Sequence, residues 1–234
     1  MTADRDARKR EAAMAAVAMV QDGMVVGLGT GSTAAFAIDG LIARVRAGLR
    51  IVGIPTSERS AKQAREGGIT LTDFAAHPKV DLTIDGADEI ACETLDLVKG
   101  LGGALLREKI VAAASERLVI IADEPKLVPN LGSTCPVPVE VVPFGHETTA
   151  ARLASLGARP VLRMATAKPF RTDGGNLILD CHFGRITDPR GLERALSATV
   201  GVVETGLFIG MASVALVATD TGVVRLEREG LPAA

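Results

Sequence analysis

The sequence predicts an α/β protein: a Rossmann-like, mostly parallel sheet with helices on both faces, plus a smaller ferredoxin-like α+β domain. Three observations carry this prediction. Up to about Asp123, short apolar strands alternate with helices, the pattern of a parallel sheet covered on both sides. From Pro138 to Thr205 the order becomes β-α-β-β-α-β, the split arrangement of a ferredoxin-like unit. The closing stretch from Gly206 to Arg228 reads as a strand pair turning at Asp220-Thr221-Gly222. It belongs back on the first sheet, because six elements already complete the smaller unit. The expected domains are residues 1–131 with 207–234 for the α/β part and 132–206 for the α+β part.

The elements follow from local chemistry. An Ala-rich helix from about Asp6 to Gln21 is stopped by Asp22-Gly23. The apolar strand Met24 to Leu28 enters the loop Gly27-Leu28-Gly29-Thr30-Gly31-Ser32-Thr33, and a helix follows from Thr33 to Ala47. Next come a strand over 51–56, a polar helix from Ser57 to Glu66 ended by Gly67-Gly68, and a strand over 69–74. An apolar strand from Val80 breaks into the acidic turn Asp85-Gly86-Ala87-Asp88-Glu89. A second strand ends at Lys99, a glycine-rich bend follows, and a helix carries Glu108. Residues 117–123 form a fully buried strand. Gly132 to Val137 is a crossover rich in Gly, Ser, Thr and Pro. In the smaller domain the strands fall at 138–144, 160–165, 177–183 and 201–205, with helices at 146–156 and 189–197.

Composition narrows the function. A chain of 234 residues with 47% hydrophobic and 23% charged residues is ordinary for a globular protein. A net charge of −2 predicts no broad attraction to nucleic acid or to an anionic membrane, and the absence of Trp and Tyr removes most base-stacking equipment. No apolar run approaches the ~20 residues of a membrane-spanning helix. The N-terminus lacks the basic-then-apolar order of a signal peptide. Cys92, Cys135 and Cys181 are few, odd in number and widely spaced, which suits free thiols in a reducing compartment, so a cytoplasmic location is expected.

Two motifs carry chemistry. Strand, then Gly29-Thr30-Gly31-Ser32-Thr33, then helix, is an anion site in physical terms. Glycines let the backbone approach a ligand, the helix start offers unpaired N–H groups, and the three hydroxyls add donors. It has no P-loop lysine, and its third glycine arrives one residue early for a dinucleotide fingerprint. An ordinary glycine-rich turn would carry the same residues. Thr56 and Ser57 end the next strand on the same edge, where Ser57 also suits a plain helix N-cap. The second motif gathers Asp85, Asp88, Lys99, the amides around Gly100, Gly102 and Gly103, and Glu108: equipment for moving a proton next to a carbonyl. Asp85 and Asp88 follow a strand's carboxyl end, where open α/β sheets place ligands. A metal site at Asp85, Asp88 and Glu89 is disfavoured, since the spacing is not that of an EF-hand and no histidine lies nearby. A solvated turn remains the plain alternative there. Lys99 fits a pair with Asp85 or a surface charge, and Glu108 fits a base or an exposed helix residue.

Taken together, GLGTGSTA (27–34), GIPTS (53–57), DGADEI (85–90), KGLGGALLREK (99–109) and PVEVVPFG (138–145) resemble ribose-5-phosphate isomerase of the A type, as do DGGNLILD (173–180) and GVVETGLF (201–208). Val200, where a proline is expected, and Gly174, where a bulkier residue is common, depart from the pattern within the smaller domain. The resemblance implies interconversion of D-ribose 5-phosphate and D-ribulose 5-phosphate without metal or organic cofactor. It makes Glu108 the general base and places Lys99, Asp85 and Asp88 at the sugar's reacting end. Gly29, Thr30, Gly31, Ser32 and Thr33 become a substrate loop, with Gly100, Gly102, Gly103 and Lys126 as further substrate contacts. It also implies a homodimer or homotetramer. The competing readings are a related sugar-phosphate isomerase or deaminase, a non-catalytic phosphosugar sensor, and, more weakly, an NAD-dependent dehydrogenase. A sensor would keep the loop but need no Glu108, and a dehydrogenase would need an acid at the end of the second strand.

Overall fold

The computed structural model describes residues 2–228, with side chains from Arg5 onward. The chain packs as two compact units. The first holds the residues up to Ala87, Arg107–Lys126 and those from Met211, and the second holds Asp88–Leu106 and Leu127–Gly210.

The first unit is built on a seven-stranded sheet. Its spatial order is Gly222–Glu227, Val214–Thr219, Ser115–Asp123, Val80–Gly86, Val25–Leu28, Val52–Pro55 and Thr70–Leu71. Every neighbouring pair is parallel except the hairpin of Val214–Thr219 with Gly222–Glu227, which joins the sheet as the sequence predicts. Numbered along the chain, the parallel strands run 3-2-1-4-5-6, the doubly-wound order, and the winding reverses between Val25–Leu28 and Val80–Gly86.

Helices Thr2–Val17 and Ser32–Arg46 bury Ala12, Ala16, Ile38 and Leu41 in one core with Leu82, Ile84, Val119 and Leu216. Helix Leu105–Ala113 brings Val111 against Ile54 and Val80 in a separate cluster. Gly27 makes this approach possible. A side chain there would stand 1.8 Å from Thr83 Oγ1 and 2.8 Å from Val111 Cγ1. Strand 69–74 proves shorter than expected, Thr70–Leu71 only, because Asp73 Oδ1 accepts from the Ala75 and Ala76 amides and turns the chain.

In the second unit the antiparallel order is Arg159–Leu162, Leu177–His182, Val137–Val141 and Val202–Thr205, the ferredoxin-like arrangement. Helices His146–Ser155 and Pro189–Ser197 supply Leu153 and Leu196 to a core with Val139, Val141, Leu177 and Leu179. Cys181 lies in this core, and burial with the neighbouring Asp180 charge pushes its thiol up to about 12. The strand expected over 160–165 ends at Leu162. Met164–Ala165 instead pairs with Lys168–Pro169 around Thr166, a non-glycine residue at φ 56°. Gly174 has a negative or extended φ, and a side chain there would come no closer than 3.6 Å to Asn176 and Thr172, an ordinary contact, so the turn does not demand glycine, and Val200 is exposed.

A further small sheet, Leu207–Phe208, Leu97–Val98, Glu89–Ala91 and Leu127–Val128, belongs to the second unit. The division therefore differs from the expected boundaries at 131/132 and 206/207 by residues 88–106, 127–131 and 207–210. These segments pair with one another and join the same core through Ala91, Val98, Val128 and Leu207. Glu89 is fully buried here. Its carboxylate accepts from the Gly132, Thr134 and Cys135 amides and from the Thr134 hydroxyl, so it clamps the crossover loop. Glu89→Ala orphans those donors and is expected to lower unfolding free energy in urea by on the order of 3 kcal/mol.

Candidate functional site

In an open parallel sheet, ligands collect beyond the carboxyl ends of the strands where the winding reverses. In the first unit that point lies between Leu28 and Gly86, with the glycine loop on one side and Asp85 on the other. The loop is tightly tied down. Gly29 N–H donates to Ile84 O at 3.0 Å, and Thr30 N–H donates to Asp85 Oδ1 at 3.0 Å, an oxygen that also accepts from Gly86 N–H at 2.8 Å. A side chain at Gly29 would stand 2.3 Å from Asp85 Oδ1, so glycine is required for this approach. Asp85, 1% exposed, therefore holds the loop in place at the carboxyl end of its strand.

The loop hydroxyls divide into two sets. Thr30 Oγ1 is buried and meets Thr56 Oγ1 at 2.7 Å, Ser57 Oγ at 2.8 Å and Ser60 Oγ at 3.2 Å. Thr56 and Ser60 donate their own protons to the Leu28 and Gly29 carbonyls. This inward cluster stiffens the loop from below. Ser57 also caps helix Glu58–Gly67 by accepting from Ser60 N–H. Ser32 is exposed, Thr33 is half-buried, and both open the helix that follows Gly31. Lys9 donates from Nζ to Ser32 Oγ at 3.0 Å, which brings a cation to the loop that the sequence did not reveal. No spacing on the Ala-rich helix marks it out among the nearby Arg and Lys residues.

Glu108 occupies the first turn of helix Leu105–Ala113, where the positive end of the helix faces a carboxylate, and it is buried. That helix leads back to the start of Ser115–Asp123, a strand parallel to Val80–Gly86, so its first turn lies toward the carboxyl edge of the sheet. Arg107 donates to Glu58 at 2.8 Å and joins this turn to the start of helix Glu58–Gly67. The hydrogen bond and the charge of Arg107 hold Glu58 below its ordinary pKa. Lys126 ends the short 3-10 turn Glu124–Lys126 after strand Ser115–Asp123, on the same edge.

The second unit carries the remaining candidates. Lys99 is 2% exposed, its ammonium lies 5.4 Å from the Phe208 ring centroid, and its N–H donates to Gly206 O. The following bend closes with Gly103 N–H donating to Gly100 O at 3.0 Å, with both glycines at positive φ. Asp88 Oδ2 accepts from Leu101 N–H at 2.9 Å. Arg163 Nη1 donates to Gly100 O and Leu101 O, a contact from the ferredoxin-like part that no local sequence pattern announces. Among the described residues no three His, Cys, Asp or Glu side chains are grouped to hold a metal ion.

Comparison with known proteins identifies the family and the fold. The family model for ribose 5-phosphate isomerase A (phosphoriboisomerase A) matches residues 52–222. Ribose-5-phosphate isomerase A of Gloeobacter violaceus is 59% identical over 98% of this chain and 100% of its own length. That of Gluconobacter oxydans is 55% identical over 96% of this chain and 98% of its own. Among solved structures, ribose 5-phosphate isomerase A from Methanocaldococcus jannaschii superposes with a TM-score of 0.92 at 40% identity, covering 96% of this chain and 100% of that one. A D-ribose-5-phosphate isomerase in complex with phospho-erythronic acid also reaches 0.92, at 38% identity, covering 95% and 98%. With a glycine-hydroxyl loop and a buried helix carboxylate at one edge of a doubly-wound sheet, and relatives matched over nearly their whole length, this chain belongs to the ribose 5-phosphate isomerase A family of enzymes.

Proposed function

We propose that this chain interconverts D-ribose 5-phosphate and D-ribulose 5-phosphate through a cis-enediolate by general acid/base catalysis, in the non-oxidative branch of the pentose phosphate pathway. The observation that carries the reading is the placement of Glu108 and the Gly29–Thr33 loop at one sheet edge in the first unit. A sugar phosphate has two ends to hold, an anion and a reacting carbonyl. Gly31, Ser32 and Thr33 receive the phosphate with Lys9, while Gly29 and Thr30 form the base of the loop. Lys126 adds a further substrate contact.

Asp85 or Asp88 passes a proton during opening of the furanose ring. Glu108 then takes the proton from C2. The C2–H electron pair forms the C1–C2 double bond, and the carbonyl pair moves onto O1. A proton moves from O2 to O1, and Glu108 returns its proton to C1 as the C2 carbonyl forms. Lys99 and the Gly102 N–H stabilise the charged oxygens, with Gly100 and Gly103 setting the bend. Each donor in comparable oxyanion sites contributes ~3–4 kcal/mol. None of these steps calls for a metal or organic cofactor. The same reading takes the chain as a cytoplasmic homodimer or homotetramer. Among the described residues no helix is long and apolar enough to cross a membrane.

The test is direct: purified protein in EDTA should convert ribose 5-phosphate to ribulose 5-phosphate. No conversion, or conversion only after a divalent metal is restored, contradicts the reading. Within it, Lys9→Met should raise KM for ribose 5-phosphate about tenfold, the value of one charge-assisted hydrogen bond, with kcat within about threefold. Steady-state kinetics separate the two constants. A fall in kcat with unchanged KM would place Lys9 elsewhere in the mechanism.

A further inference from the structure

We propose that Arg163 is a positioning residue for this isomerisation, fixing the peptide between Leu101 and Gly102 so that the Gly102 N–H faces the oxygen on which charge develops. The inference rests on the proposed reaction, and its geometry lies wholly within the second unit.

Arg163 follows strand Arg159–Leu162, and its side chain is 13% exposed. Nε donates to Asp180 Oδ2 at 2.9 Å and Nη2 donates to Asp180 Oδ1, so the carboxylate on the neighbouring strand holds the guanidinium as a fork. Nη1 is thereby aimed at the bend, where it donates to Gly100 O at 2.9 Å and to Leu101 O at 3.2 Å. Phe170 supports the same place. Its ring centroid lies 5.9 Å from the guanidinium carbon, and a side chain at Gly103 would stand 2.4 Å from its Cζ.

In a trans peptide the carbonyl and the next N–H point in opposite directions. With Gly100 O facing Arg163, the Leu101 N–H must point away, and it does, donating to Asp88. Leu101 O also faces Arg163, so the Gly102 N–H points away as well. Gly102 is exposed, and its N–H has no acceptor among the described residues, whereas the Gly103 N–H is committed to Gly100 O. Residues 100–103 form a four-residue turn, and its central peptide is the one joining Leu101 to Gly102. That peptide can rotate into the alternative turn, which needs positive φ at the third residue. Gly102 does not have a positive φ here, yet glycine permits one at little cost. Nothing in the residue itself blocks the flip. The Arg163 bond to Leu101 O does. A flip would present a carbonyl oxygen where a donor is required.

The experiment compares wild type with Arg163→Met in three measurements: kinetics with ribose 5-phosphate, binding of phospho-erythronate, and binding of ribitol 5-phosphate. The carboxylate of phospho-erythronate stands in for the charged enediolate, and the uncharged head of ribitol 5-phosphate does not. The expected result is a kcat lower by about 10- to 100-fold, less than or up to the loss of a whole oxyanion donor, with KM within about threefold. Phospho-erythronate binding should weaken in step with kcat, and ribitol 5-phosphate binding should hold. An unchanged kcat, or equal weakening of both ligands, overturns the assignment, because a merely loosened structure would not discriminate between them. Should Arg163→Met fail to fold, Asp180→Asn, which leaves the guanidinium and removes its charged anchor, is read by the same criteria. Wild type that does not convert ribose 5-phosphate defeats the proposed reaction itself. Active wild type with an unimpaired variant defeats only the role of Arg163.

Discussion

Glu108→Gln should lower turnover of ribose 5-phosphate by at least ~10²-fold while leaving KM within about threefold. The substitution keeps size and hydrogen-bonding capacity but removes the base. Because Glu108 is buried in the first turn of its helix, no solvent-exposed side chain on that turn stands ready to replace it. The helix itself is held by Val111 against Ile54 and Val80 and by the Arg107–Glu58 pair, neither of which the change touches. Steady-state kinetics beside a thermal melt check the prediction. Near-normal turnover in a folded variant would take the proton-transfer role away from Glu108.

Lys99→Met should cost about 10²–10³-fold in kcat, the range for losing one preorganised donor to an oxyanion. Met is close to the lysine stem in length, and its thioether packs favourably beside an aromatic ring such as Phe208, whose centroid lies 5.4 Å from the ammonium. The change therefore removes the ammonium with little alteration of shape. Lys99→Arg should recover little, because a planar fork does not reproduce a compact charge in a site that is 2% exposed. A loss confined to KM would make Lys99 a binding residue and leave the charged intermediate without its main partner.

Much of the fold was legible because it rests on long periodic segments. Strands such as Ser115–Asp123 and helices such as Ser32–Arg46 carry their burial pattern in the sequence. The rest depends on too few residues or on distant partners. The sheet of Glu89–Ala91, Leu97–Val98, Leu127–Val128 and Leu207–Phe208 is made of strands of two or three residues, below the length at which alternation shows. The Thr166 turn lacks the glycine that normally announces positive φ.

The candidate site divides in the same way. The loop Gly29–Thr33 was visible because close backbone approach needs glycine. The inward direction of the Thr30 hydroxyl was not, since it is decided by Thr56, Ser57 and Ser60 on the next strand and helix. Glu89 stood among the acidic turn residues, but its partners at 132–135 make it a structural clamp. Lys9 and Arg163 act through contacts 23 and 62–63 residues away in sequence, where no local pattern exists to mark them.

The claim that a carboxylate carries a proton between C2 and C1 is tested most directly by long incubation of the enzyme with ribose 5-phosphate in deuterated water. A single passage can return the same proton, but repeated reversal lets even rare exchange accumulate. The account predicts deuterium rising at C1 of the ketose and C2 of the aldose with wild type, and at least ~10²-fold more slowly with Glu108→Gln. Isomerisation that continues to equilibrium with no deuterium at either carbon would mean a direct hydride shift and would contradict it.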